Sequence, residues 1–100
     1  MKARQPRPPW QGMTVLRGVG PSLANDLWDL GIRTPRGLKG RDAEALYRRL
    51  CDLRGERQDP CVLYAFRCAI YQASAPSPRP ELCDWWAWKE RSSLEARGGR

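Results

Sequence analysis

The sequence predicts an all-α protein, a compact bundle of five to six short helices, and three features carry that expectation. Start signals recur: Pro21 behind Gly20, Pro35 behind Thr34 and Pro60 behind Asp59 each place proline where a first helical residue has no intrahelical amide partner to lose. Stop signals stand at Gly31, Gly40 and Gly55, the residue type that tolerates the left-handed ending of a helix. Between them, apolar residues repeat at helical spacing. A hydrophobic content of 41% in 100 residues supplies one modest core and leaves no room for a second independent domain.

Residues 1–12 carry Lys2, Arg4 and Arg7 with Pro6, Pro8 and Pro9 and no acid, so they read as a mobile basic arm or a frayed end. Residues 13–91 read as a single helical domain and residues 92–100 as a frayed tail. Within the domain, Thr14, Val15 and Leu16 make a brief apolar turn. The helix opened by Pro21 then sets Leu23, Leu27 and Leu30 on one face, with Ala24 and Trp28 alongside. A single turn from Pro35 ends near Leu38 and Gly40. Asp42 caps the next helix, with Leu46, Leu50 and Leu53 inward and Arg48, Arg49, Asp52 and Arg54 outward. Residues 61–73 are apolar on nearly every face, the mark of a central helix. Residues 74–80 hold three prolines and read as a loop, and residues 81–90 as a last short helix bearing Trp85, Trp86 and Trp88.

Several function classes fall away on composition. Apolar runs are interrupted at Arg67 and Gln72, well short of the ~20 residues a membrane span requires. No apolar signal segment comes after the basic N-terminus, so the expectation is a soluble, cytoplasmic chain with no membrane partner. The net charge of +7 favours polyanions, nucleic acid ahead of anionic membranes or acidic proteins. Histidine is absent, which removes the commonest metal ligand and the usual general base. Cys51, Cys61, Cys68 and Cys83 form no CxxC pair. Cys61 and Cys68 sit on one helix, separated by roughly 10 Å along its axis, too far for a disulfide or a shared metal. They read as buried reduced thiols, and Asp26, Asp29 and Glu44 as solvated carboxylates. The expectation is no metal, no cofactor and no enzymatic activity.

The strongest chemical signal is the Gly18-Val19-Gly20-Pro21 turn. A glycine turn leading into a helix leaves backbone N–H groups open at the helix N-terminus, where the macrodipole adds partial positive charge. Gly18 and Gly20 allow positive φ and, lacking Cβ, allow a phosphate oxygen to approach closely. Val19 can turn inward to pin the turn to the core, while Arg17, Ser22 and Asn25 stand ready to add side-chain contacts. Such a grip holds backbone phosphate and reads no base sequence.

The run Leu16-Arg17-Gly18-Val19-Gly20-Pro21-Ser22-Leu23-Ala24, with Leu27 and Leu30-Gly31-Ile32 after it, resembles the helix-hairpin-helix motif of DNA-repair and recombination proteins. Residues 30–50 are similar to the second, degenerate half of paired helix-hairpin-helix domains such as the C-terminal domain of the RNA polymerase alpha subunit, with Lys39-Gly40-Arg41 as the second hairpin. The resemblance implies a five-helix, SAM-like fold over residues 13–55, with C-terminal helices of residues 56–91 packed on it. It also implies non-specific binding of duplex DNA through phosphates. Residues 13–91 as a whole, ending in Trp85-Trp86-Ala87-Trp88-Lys89, resemble the small bacterial pathogenicity-locus and mitomycin-resistance family. Where the wider motif often places Lys or Arg just after the second glycine and proline, this chain has Ser22, and Arg17, Arg33, Arg36, Lys39 and Arg41 supply positive charge instead.

Two expectations for function result. One is a weak, sequence-independent DNA-binding accessory to repair, recombination or regulation. The other is a protein-interaction adaptor docking through the surface around Trp28 or the tryptophan-rich end. The tryptophans themselves have two readings, a lid over the central helix or, with Lys89 and Arg91, a platform for unpaired bases. Adjacent Trp85 and Trp86 point in different directions, which leaves at least one partly exposed, and Tyr64 and Tyr71 read as core.

Overall fold

Helix starts fall where the capping residues stand. The computed structural model describes residues 16–91 and Ala96; the basic arm, Thr14, Val15 and the remainder of the tail lie outside the described residues. Three α-helices form among them: α1 at Pro21–Asp29, α2 at Ala43–Arg54 and α3 at Pro60–Ser74. Three 3-10 turns accompany them, at Pro35–Leu38, Pro80–Leu82 and Trp85–Trp88, and no strand occurs among the described residues. Asp42 caps α2 by accepting from the amides of Glu44 at 3.0 Å and Ala45 at 3.4 Å. Asp59 caps α3 through the Cys61 amide at 2.9 Å, and that bond holds its carboxyl below the usual range. Thr34 does the same for the Pro35–Leu38 turn through the Gly37 amide at 3.3 Å.

Endings obey the glycines. Gly31 takes φ +91°, and the amides of Gly31 and Ile32 reach back to the carbonyls of Trp28 at 3.0 Å and Leu27 at 2.9 Å. These are the paired bonds of a Schellman ending, and they turn the chain so that Ile32 is buried. Gly55 ends α2 in the left-handed region at φ +75°.

The core gathers round α3, which packs against α2, the Pro35–Leu38 turn and the Trp85–Trp88 turn. Phe66 and Ile70 of α3 are fully buried with Leu27, Leu38 and Leu50. Trp88 is 1% exposed; its indole N–H donates to the Leu82 carbonyl at 2.8 Å and its ring lies 5.2 Å from that of Tyr71. Arg67 ties three elements together, donating to Glu44 at 2.5 Å and to the Trp88 carbonyl at 3.0 Å. Arg54 joins α2 to α1 through Asp26 at 2.6 Å and Asp29 at 3.1 Å. Among the described residues no buried side-chain nitrogen or oxygen lacks a partner, and no helix is long and apolar enough to cross a membrane.

Three expectations need correction. The segment at 81–90 is two 3-10 turns rather than one helix, because the Trp88 indole takes the Leu82 carbonyl that a continuous α-helix would offer to the Trp86 amide. Leu53 is 53% exposed although it shares the face of Leu46 and Leu50. It stands at the end of α2, where it borders an open cleft with Asp29, Leu30, Arg49 and Asp52 rather than a covering element. Of the four thiols, Cys68 is buried, whereas Cys51, Cys61 and Cys83 are half-buried, and all four are free.

Truncation should separate the two leucines that periodicity makes alike. Leu50→Ala is expected to cost about 2–5 kcal/mol, and Leu53→Ala no more than about 0.5 kcal/mol, read from urea denaturation midpoints at constant slope.

Candidate nucleic-acid interface

The turn before α1 is held from beneath by a single side chain. Gln72, near the C-terminal end of α3, accepts from the Arg17 amide at 2.9 Å and donates to the Arg17 carbonyl at 2.8 Å, clasping one peptide position from both sides. Val19 is 4% exposed and points into the core, and its amide closes a tight turn onto the Leu16 carbonyl at 3.1 Å. Gly18 takes φ +86°, a conformation that costs other residues roughly 1–2 kcal/mol. Gly20 departs from the sequence expectation: its φ is −89° and its backbone is extended, because it serves as the N-cap of α1 and N-caps adopt that conformation.

The N-terminus of α1 differs from those of α2 and α3 in that no side chain caps it; like α3, it has no acid in its first turn. The Ala24 amide reaches the Gly20 carbonyl at 2.9 Å, but among the described residues the amides of Gly18, Gly20, Ser22 and Leu23 have no acceptor in the chain. A Cβ on Gly18 or Gly20 would meet nothing within 4 Å, so the space beside the two glycine Cα atoms is open. Ser22 is exposed and Asn25 half-buried on the first turns of the helix.

The second glycine turn is arranged differently. Gly40 has φ +73°, and its amide donates to the Ser74 hydroxyl at 3.0 Å. The amides of Lys39 and Arg41 are taken by the carbonyls of Arg36 at 3.1 Å and Leu38 at 3.0 Å. At Lys39, Gly40 and Arg41, therefore, the amides are engaged within the chain and only side chains remain to meet an anion. Gln72 and Ser74, two residues apart, hold the backbones of Arg17 and Gly40, so both turns flank the same end of α3. Sequence reading passed over both residues, since a lone Gln or Ser late in a helix carries no local signal.

The cations are distributed between pairing and exposure. Arg17 meets Asp84 at 3.0 Å with its side chain 60% exposed, an exchangeable surface pair worth at most about 1 kcal/mol. Arg33 stacks over Trp28 at 4.1 Å, Arg41 donates its Nε to the Gly37 carbonyl at 3.0 Å, and Arg33, Arg36, Lys39 and Arg41 are all exposed.

A cleft of about 380 Å³ opens beside the first turn, lined by Gly18, Gly20, Ser22 and Leu23 and by Cys61, Val62, Ala65 and Trp85. Asp26 also borders it, with its charge answered by Arg54 at 2.6 Å. Trp85 is 38% and Trp86 61% exposed, so of the three C-terminal tryptophans Trp88 alone is fully in the core. Tyr64 stacks with Trp85, and Tyr71 lies tilted at 43° against Trp88; both tyrosines are half-buried. No group of three Cys, Asp or Glu residues able to hold a metal occurs among the described residues.

Comparison with known proteins places the chain in a family. Residues 8–93 match the model of the family described as "Pathogenicity locus", and the chain belongs to that family. Among curated proteins it is similar to the "Mitomycin resistance protein McrB" of Streptomyces lavendulae, 36% identical over 88 residues, which cover 87% of this chain and 80% of the relative. No solved structure matches it.

Two measurements test this geometry. Gln72→Ala is expected to lower stability by about 1 kcal/mol and to speed hydrogen exchange at the Arg17 amide, as loss of a solvent-accessible pair of bonds requires. Burial pushes the Cys68 thiol up to about 11 from its ordinary value near 9. A raised value means that the folded state favours the protonated thiol, so this contribution is whole below pH about 9 and is lost as pH rises to about 11. Denaturation curves should show the wild type losing about 2 kcal/mol more than Cys68→Ala across that window.

Proposed function

We propose that the protein binds nucleic acid without sequence specificity, gripping the phosphates of duplex DNA with the open amides at the start of α1 and with flanking basic side chains. The reading takes the run from Leu16 to Ala24, with Leu27 and Leu30-Gly31-Ile32 after it, as a helix-hairpin-helix site and the turn at Lys39, Gly40 and Arg41 as its degenerate partner in a SAM-like pair. The observation that carries it is that, among the described residues, the amides at Gly18, Gly20, Ser22 and Leu23 are unengaged, on a helix left uncapped while α2 and α3 both have Asp caps. Open amides on a helix dipole form an anion site, and the net charge of +7 draws polyanions to it. Arg17 adds a guanidinium that can exchange Asp84 for phosphate, and Lys39 and Arg41 contribute side-chain charge at the second turn. The role is binding rather than catalysis, in the cytoplasm, as an accessory to DNA repair, recombination or regulation; the resistance recorded in the relative's name fits that setting.

A second reading has its own support: the exposure of Trp86 and Leu53 suits an adaptor that docks on another protein.

Fluorescence anisotropy on a labelled duplex separates the two. DNA binding predicts micromolar or weaker affinity at physiological salt, with log K falling by about 0.9 per phosphate neutralised for each tenfold rise in salt. Gly20→Val is the informative variant, because its extended backbone accepts a side chain and nothing lies within 4 Å, so the protein stays folded while the approach is blocked. The expected loss is about tenfold, the value of one hydrogen bond to a charged group. Undiminished binding by folded Gly20→Val, or affinity indifferent to salt, overturns the proposal.

A further inference from the structure

We infer that the cleft beside the first turn receives a single unpaired nucleobase, so that the protein prefers DNA carrying an extrahelical base to fully paired duplex. The inference rests on the phosphate-binding reading above and adds to it what the neighbouring surface selects. The cleft's volume of about 380 Å³ lies in the range of small-molecule sites, about 300–1,000 Å³. Val62, Ala65 and Trp85 line it together with Leu23 and Cys61, a mostly apolar surface of the kind that takes the face of a base.

The Trp85 indole is held in place rather than free to swing. Tyr64 lies parallel to it at 6.4 Å and 9°, and Trp86 meets it edge-on at 5.7 Å and 80°. A partly exposed aromatic fixed by two ring neighbours has little conformational entropy left to lose on stacking. In a basic domain such rings are the surfaces on which unpaired bases stack, each contributing a sequence-tolerant increment to binding. Charge agrees with this occupant. Arg17, 60% exposed, is bridged at 3.0 Å to Asp84, the residue immediately before Trp85, so a cation able to meet the strand's phosphate stands beside the stacking wall. Asp26 at the margin is neutralised by Arg54, leaving no uncompensated carboxylate among the residues that line the cleft. Paired DNA cannot use this wall, because its base faces are already stacked on one another.

Three duplexes of one sequence test the inference at one salt concentration: fully paired, with one extrahelical thymidine, and with one extrahelical abasic nucleotide. Thymidine should bind about tenfold tighter than the paired duplex, as one stacked base provides, and the abasic duplex should match the paired one. Trp85→Ala should bring the ratio of thymidine to paired affinity close to one. Ala65→Leu, which fills the cleft and leaves the indole in place, should do the same, so a folding defect in either variant still leaves a test. Equal affinity for thymidine and abasic duplexes overturns the inference, since flexibility of the strand rather than the base would then be recognised. A tenfold ratio that survives both substitutions overturns it as well. Equal binding of all three overturns it alone and leaves the exposed indoles to a protein partner, whereas failure to bind any of them overturns the DNA-binding proposal beneath it.

Discussion

The carboxamide of Gln72 is the constraint on which the candidate site depends. By satisfying both the N–H and the C=O of Arg17, it fixes the chain one residue before Gly18 while leaving the next amides untouched. Val19 anchors the turn from the other side, buried in the core. With both flanks fixed, the amides of Gly18, Gly20, Ser22 and Leu23 are held without an acceptor among the described residues. An anion would then meet donors already in place, with little ordering left to accomplish on binding.

Ionic pairing in this small domain does two kinds of work. Arg54 and Arg67 sit at junctions, one between α2 and α1, the other between α2, α3 and the Trp88 carbonyl, and both answer carboxylates that would otherwise repel a polyanion. The carboxylates of Asp26, Asp29 and Glu44, read from sequence as solvated faces, are partners in these junctions. Arg17, by contrast, is paired at the surface, where water competes and exchange is easy. The excess of positive charge is therefore left on residues such as Arg36 and Lys39 that face solvent.

The candidate site was legible in outline. Gly18 and Gly20 with a proline after them identify a turn running into a helix, and the side-chain positions of Val19 and Ser22 agree with that pattern. Its finer conformation was not legible, since Gly20 as N-cap is extended and needs no positive φ. How the second glycine turn is engaged was not legible either. Gly40 has the left-handed backbone expected of it, but the Ser74 hydroxyl occupies its amide, and no pattern near residue 40 reports a partner 34 positions away.

By itself the sequence determined where α1, α2 and α3 start and stop, because caps, prolines and glycines act within four residues of where they stand and owe nothing to distant contacts. It determined equally that α3 would be central, its apolar residues circling the helix. Only the tertiary structure decided which tryptophan is core. Trp88 is buried because its indole finds the Leu82 carbonyl and the Tyr71 ring, whereas Trp85 and Trp86, of the same type and nearly adjacent, end beside open space. It likewise left Leu53 in solvent on the face that buries Leu50. Burial depends on what lies opposite a side chain, and that is a property of how the helices meet rather than of any one of them.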